Sequence, residues 1–84
     1  MNRYLVIALR TPEFDPAVIG PHCHFLDKLR ADDRVELSGP FSDKSGGAYL
    51  LRAATLDEAT TIAHGDPLHL SGASKLTVHE WHAK

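Results

Sequence analysis

The chain predicts an α+β fold of β-α-β-β-α-β order, and three observations carry that reading. Four segments show short apolar runs or two-residue alternation, the patterns of strands. Two intervening segments follow helical spacing and carry helix start or stop signals. The link between the second and third strand segments is too short to hold a crossover helix, so those two pair as a hairpin.

The first strand is Tyr4–Leu9 (YLVIAL), an unbroken apolar run with β-branched members that reads as buried on both faces. Thr11-Pro12 and Asp15-Pro16 then break the chain into a loop. A helix follows with Pro21 at its first position, where the missing N–H costs nothing. Phe25, Leu26 and Leu29 form its apolar stripe, Asp27, Lys28 and Arg30 face outward, and Asp32-Asp33 end it. Arg34–Ser38 (RVELS) alternates as a half-buried strand, Gly39-Pro40 and Ser42–Gly47 (SDKSGG) turn the chain, and Ala48–Ala53 (AYLLRA) returns antiparallel. Thr55 and Glu58 read as a capping box opening a helix through Ala63, which His64-Gly65-Asp66-Pro67 stops. Leu68–Ser74 is short and irregular, and Lys75–Trp81 (KLTVHEW) alternates as the closing strand.

With right-handed crossovers this order gives a four-stranded antiparallel sheet, strand order 4-1-3-2, with both helices on one face. The other face of the apolar first strand is then uncovered, and it carries either Tyr4 and Val6 or Leu5 and Ile7, depending on register. Pairing that face with its own copy in a two-fold homodimer is the expected solution.

Composition narrows the functional classes. The 84 residues fit a single domain spanning 1–84. Nine Lys+Arg against 11 Asp+Glu argue against a nucleic-acid partner, which calls for a clustered basic excess. Cys23 is the lone cysteine and cannot form an internal disulfide. The run Leu5–Leu9 falls far short of the roughly 20 residues of a membrane span and lacks signal-peptide features. The expectation is a small cytoplasmic domain with neither membrane nor nucleic acid as partner.

Connectivity alone collects Thr11–Asp15, His22, Ser42–Gly47 and Asp66 at one end of the sheet. At about 100° per residue, His22 lies on the core-facing stripe with Leu26 and Leu29, whereas His24 points to solvent. The helix dipole favours a neutral imidazole in that first turn. A neutral imidazole beside a carboxylate is the arrangement of a general base, so His22 is the candidate base and Asp66 its orienting partner. The competing readings are a simple helix-end contact for His22 and a plain turn for Asp66-Pro67. Ser42 and Ser45 of the hairpin are candidates to hold a substrate oxygen. Trp81 shares a strand face with Thr77 and His79, where it lines a ligand pocket or packs a dimer interface. His22-Cys23-His24 diverge on a helix, and the remaining histidines show no chelating spacing, so no metal site is expected. Cys23 reads as a small packing residue. No serine elbow and no nucleotide-binding glycine motif is present, so no cofactor is expected.

The order of these motifs resembles the YciI-like (YCII-related domain) family across essentially the whole chain. The likeness rests on the opening hydrophobic strand, the His-led helix HCHFLDKL, the strand ending in Gly39-Pro40 and the Gly46-Gly47 hairpin. The helix start Thr55–Ala59 and the Asp66-Pro67 turn complete it. The resemblance implies a ferredoxin-like fold of the dimeric α+β barrel type, like that of muconolactone isomerase. It also implies a His-Asp site falling on His22 and Asp66; a few relatives are cofactor-free dehydrochlorinases of chlorinated hydroxyquinones. The chain departs from the pattern at Asp32-Asp33, where relatives usually have glycine, and at Leu68, where an aromatic usually follows the turn. Val18 and Ile19 occupy the region where a basic residue usually precedes the helix histidine, which would remove an anchor for an anionic substrate.

The expected function is a cofactor-independent lyase, isomerase or dehydrochlorinase acting on a small metabolite. A dimeric small-molecule-binding or accessory module and a purely structural domain are the alternatives.

Overall fold

The computed structural model describes all residues, 1–84. Its elements are β1 (Asn2–Arg10), a 3-10 turn (Pro16–Val18), α1 (Ile19–Ala31), β2 (Val35–Pro40), β3 (Gly46–Ala53), α2 (Leu56–Ala63), α3 (Pro67–Leu70) and β4 (Ser74–Glu80). The sheet order is β2-β3-β1-β4 with every neighbouring pair antiparallel, which is the expected 4-1-3-2 read from the other edge. The fold is ferredoxin-like α+β.

Within one chain, β1 is covered on one side only. Tyr4, Val6 and Ala8 are buried, while Leu5 and Ile7 are only half-buried, because helices pack against one face alone. Register fixes the partition. Tyr4 pairs with Leu51 and Val6 with Tyr49 and Val78, and these side chains meet Leu26 of α1 and Ala59 and Ala63 of α2 in the main core. Ala59 and Ala63 stand four residues apart on one helix face, and their small side chains are fully buried against the sheet. The opposite face presents Leu5 beside Leu50 and His79, and Ile7 beside Ala48 and Thr77.

The helix ends follow local chemistry. Asp15 caps the 3-10 turn by accepting from the Ala17 N–H at 2.9 Å, and α1 therefore begins two residues before Pro21. Pro21 at the third position still costs no hydrogen bond, because the first four N–H groups of a helix lack intrahelical partners. Asp33 ends α1 in the left-handed region (φ 61°), with its N–H on the Arg30 carbonyl and the Arg34 N–H on the Leu29 carbonyl. Aspartate is among the few residues other than glycine that take this conformation readily.

At α2, Thr55 accepts from the Glu58 N–H at 3.1 Å, as expected, but Glu58 does not complete the capping box. Its carboxylate is drawn to Arg34 at 2.6 Å and accepts from the Ala54 N–H at 3.3 Å instead. Pro67–Leu70, expected as irregular, forms the single-turn α3 because Pro67 fits a helix start and Asp66 caps it. β4 stops at Glu80, so Trp81 lies just past the strand, its N–H donating to the Arg3 carbonyl at 2.9 Å. At the hairpin end of β3 the backbones approach closely: a Cβ on Gly46 would strike the Ala8 carbonyl, and one on Gly47 would sit 2.6 Å from the Gly39 carbonyl oxygen.

Candidate functional site

Asp66 is fully buried although it precedes a surface turn. The following proline holds its backbone extended (ψ 131°), and its carboxylate turns inward to cap α3. Oδ1 accepts from the Leu68 N–H at 2.9 Å and Oδ2 from the Tyr49 hydroxyl at 3.2 Å. His22, the fourth residue of α1, brings Nδ1 to 2.9 Å from Oδ1 and 3.0 Å from Oδ2. No buried side-chain polar atom in the protein is left without a partner.

A carboxylate only accepts, so Nδ1 of His22 is the donor in this contact, and in the neutral tautomer that donates from Nδ1 the lone pair sits on Nε2. Nε2 makes no hydrogen bond within the protein. Burial, reinforced by the charge of Asp66, pushes the Tyr49 hydroxyl far above the usual tyrosine range, so it remains a donor. The Tyr49 ring lies 6.2 Å from the His22 ring, tilted by 48°.

His22 and Tyr49 line a cavity of about 480 Å³, within the size range of small-molecule sites. Arg10, Phe14, Ser38 and Ser74 share its wall, and 8 of its 16 lining residues are hydrophobic, enough apolar wall to seat a small ring. Cys23 also reaches this wall and is exposed, so it is not the packing residue expected.

The structure brings His22 and Asp66 together and leaves the other expected residues elsewhere. Ser42 and Ser45 do not line the cavity. The hairpin closes on itself instead: Asp43 accepts from the Ser45 N–H at 2.9 Å and from its hydroxyl at 2.6 Å, so that hydroxyl is already engaged. Trp81 sits at the far end of β1, about 23 Å away by strand rise. It lines a second cavity with Arg3, Asp33, Glu36 and Arg52, in which Glu36 and Asp33 already pair the arginines.

Tyr49 and Arg10 are the residues that sequence reasoning missed. Strand parity carried the signal for both. Tyr49 shares a face with Leu51 and Ala53, and Arg10 continues the buried series Tyr4, Val6, Ala8 to the mouth of the cavity. Val18 and Ile19 leave no basic residue just before His22, and the cationic side chain on the cavity wall is Arg10, from β1. No three His, Cys, Asp or Glu side chains converge as a metal-binding group.

Comparison with known proteins places the chain in a family and matches its fold. The uncharacterized protein YjpA of Bacillus subtilis (strain 168) is 46% identical over 84 residues, covering 100% of this chain and 99% of that protein. Among solved structures, the 5-chloro-2-hydroxyhydroquinone dehydrochlorinase TftG of Burkholderia phenoliruptrix AC1100 is similar in fold. It was determined in complex with 2,5-dihydroxybenzoquinone. It matches with a TM-score of 0.77 at 18% identity, over 98% of this chain and 95% of that one. Residues 3–82 match the YCII-related domain family, and the chain belongs to that family.

Proposed function

We propose that this protein is a cofactor-independent acid–base enzyme, of the lyase, isomerase or dehydrochlorinase type, acting on a small metabolite. One observation carries the reading: a fully buried carboxylate, Asp66, holds Nδ1 of a cavity-lining histidine and leaves its Nε2 free. In the reaction Nε2 of His22 takes a proton from an acidic C–H or O–H bond, whose electrons move into the substrate. In an elimination the leaving group departs with its electron pair, and His22 then returns its proton to water. Asp66 holds the ring in the required tautomer and stabilises the imidazolium that forms. Tyr49 and the Leu68 N–H keep Asp66 in place. A histidine base of this kind contributes about 10²–10⁴-fold, which suits a proton that is already acidic.

The fold shared with a dehydrochlorinase supports chlorinated hydroxyquinols as the first compounds to assay. The working unit in this proposal is a cytoplasmic homodimer joined through the open face of the sheet, where Leu5 and Ile7 are half-buried and Leu37 is exposed.

The test is an NMR titration of the histidine ring resonances in the wild type and in Asp66→Asn, alongside a chloride-release assay. The expected result is that the His22 ring resonances respond to the substitution while turnover falls about 10²-fold or more. A His22 titration indifferent to Asp66 would overturn the dyad. Binding without turnover in the wild type would favour the accessory-module alternative.

A further inference from the structure

We infer that Arg10 is the anion-binding residue of this site, and that its ligand is a small organic anion presenting a carboxylate or enolate oxygen. The inference rests on the acid–base reading for its location and adds the substrate's charge. Arg10 is the last residue of β1 and lies on the helix-covered face with Tyr4, Val6 and Ala8. Its side chain reaches the cavity wall that His22 also forms.

Three observations set this arginine apart. Its guanidinium stacks on the Phe14 ring, with the central carbon 4.1 Å from the ring centroid, and Phe14 lines the same cavity. The contact with the ring face leaves the guanidinium N–H groups without a hydrogen-bond partner in the protein, available for two-point binding of a carboxylate. Second, no carboxylate neutralises it: Arg3, Arg30, Arg34 and Arg52 each pair with Asp or Glu, whereas Arg10 has no ion pair. Third, the cavity has one sign. Arg10 is the only Lys or Arg on its wall, and no Asp or Glu lines it. Asp66 stands behind His22 with both oxygens occupied.

The two groups divide the chemistry. His22 removes the proton, and the charge that develops on the substrate oxygen lies in the field of Arg10. Neither cavity-lining Gly46 nor Gly47 puts a side chain between them and the ligand.

The experiment titrates sodium benzoate and its neutral counterpart benzamide into the intact protein, read by the His22 ring resonances. The wild type is compared with Arg10→Gln, Arg10→Lys and Lys28→Gln, the last removing the same charge from an exposed site off the cavity wall. The expected result is at least a tenfold preference for benzoate in the wild type. Lys28→Gln keeps that preference, Arg10→Lys retains part of it, and Arg10→Gln abolishes it with benzamide binding unchanged. A wild type without preference, or an Arg10→Gln variant that keeps it, overturns the inference. Failure of the acid–base reading looks different, because the His22 titration then ignores Asp66→Asn while the Arg10-dependent benzoate preference persists.

Discussion

The hydroxyl of Tyr49 donates to Oδ2 of Asp66 at 3.2 Å, with both side chains buried. A β3 residue and the cap of α3 are thus joined inside the core, beneath the histidine at the cavity wall. The contact fixes the carboxylate that orients His22, and it ties the site to the stability of the fold.

That relationship gives an alkaline signature. Burial first, and the charge of Asp66 second, raise the Tyr49 hydroxyl well above the ordinary value of 10.0. A raised value in the folded state means that the stabilisation is fully present below about pH 10, where unfolded tyrosine is still protonated. Above that pH the unfolded chain loses a proton that the native protein keeps, so stability falls as pH rises. Urea unfolding from pH 8 to 11 is expected to show this decline, and Tyr49→Phe to flatten it. At pH 7 the same variant is expected to lose about 1.5–3 kcal/mol, the range for a hydrogen bond to a charged group.

At acid pH the exposed ion pairs act in the opposite sense. The Arg52 and Arg3 guanidiniums lower the Glu36 carboxyl, and Arg34 with the Ala54 N–H lowers that of Glu58. Lowered values mean that this stabilisation is present above the unfolded carboxylate range near pH 4 and is lost as pH falls through the folded values. Unfolding midpoints measured from pH 6 to pH 2 are expected to drop less steeply in Glu36→Gln than in the wild type.

Two glycines separate close approach from backbone conformation. A Cβ at Gly46 meets the Ala8 carbonyl of the neighbouring strand, so Gly46→Ala must push β1 and β3 apart. Its expected cost is about 3 kcal/mol. Gly72 has φ 74° and nothing within 4 Å of an added Cβ, so Gly72→Ala carries only conformational strain, about 1 kcal/mol. Denaturant unfolding of both variants checks the ranking, and equal costs would refute the explanation.

The proposed homodimer makes Ile7 decisive. It lies on a central strand of the uncovered face, between Ala48 and Thr77. A lysine there would be desolvated at a dimer interface but can extend into water in a monomer. Sedimentation of Ile7→Lys is expected to show a folded monomer where the wild type sediments as a dimer. Monomeric wild type would remove the dimer from the proposal.

Much of this molecule was legible in the chain because its signals are local. Two-residue alternation, helical spacing and the short Gly39–Gly47 link determine the element order, and crossover handedness then leaves one sheet order. Connectivity also brings His22 and Asp66 to the same end, since every strand and helix reverses the chain. Side-chain destinations were less legible. An apolar run such as YLVIAL does not say which of its faces the helices cover, and only the pairing of Val6 with Tyr49 settles that Tyr4 and Val6 go inside. The same parity decides that Tyr49 meets Asp66 and that Arg10 emerges at the cavity. Ser45 turned aside because Asp43, two residues away, claims its hydroxyl more cheaply than a distant cavity can. Sequence by itself thus determined the fold and the end of the sheet where His22 and Asp66 meet, because periodicity and chain reversal are properties of neighbours along the chain. Tertiary structure alone decided the 2.9 Å His22–Asp66 contact, its Tyr49 brace and the unpaired Arg10, because these depend on register between strands far apart in sequence.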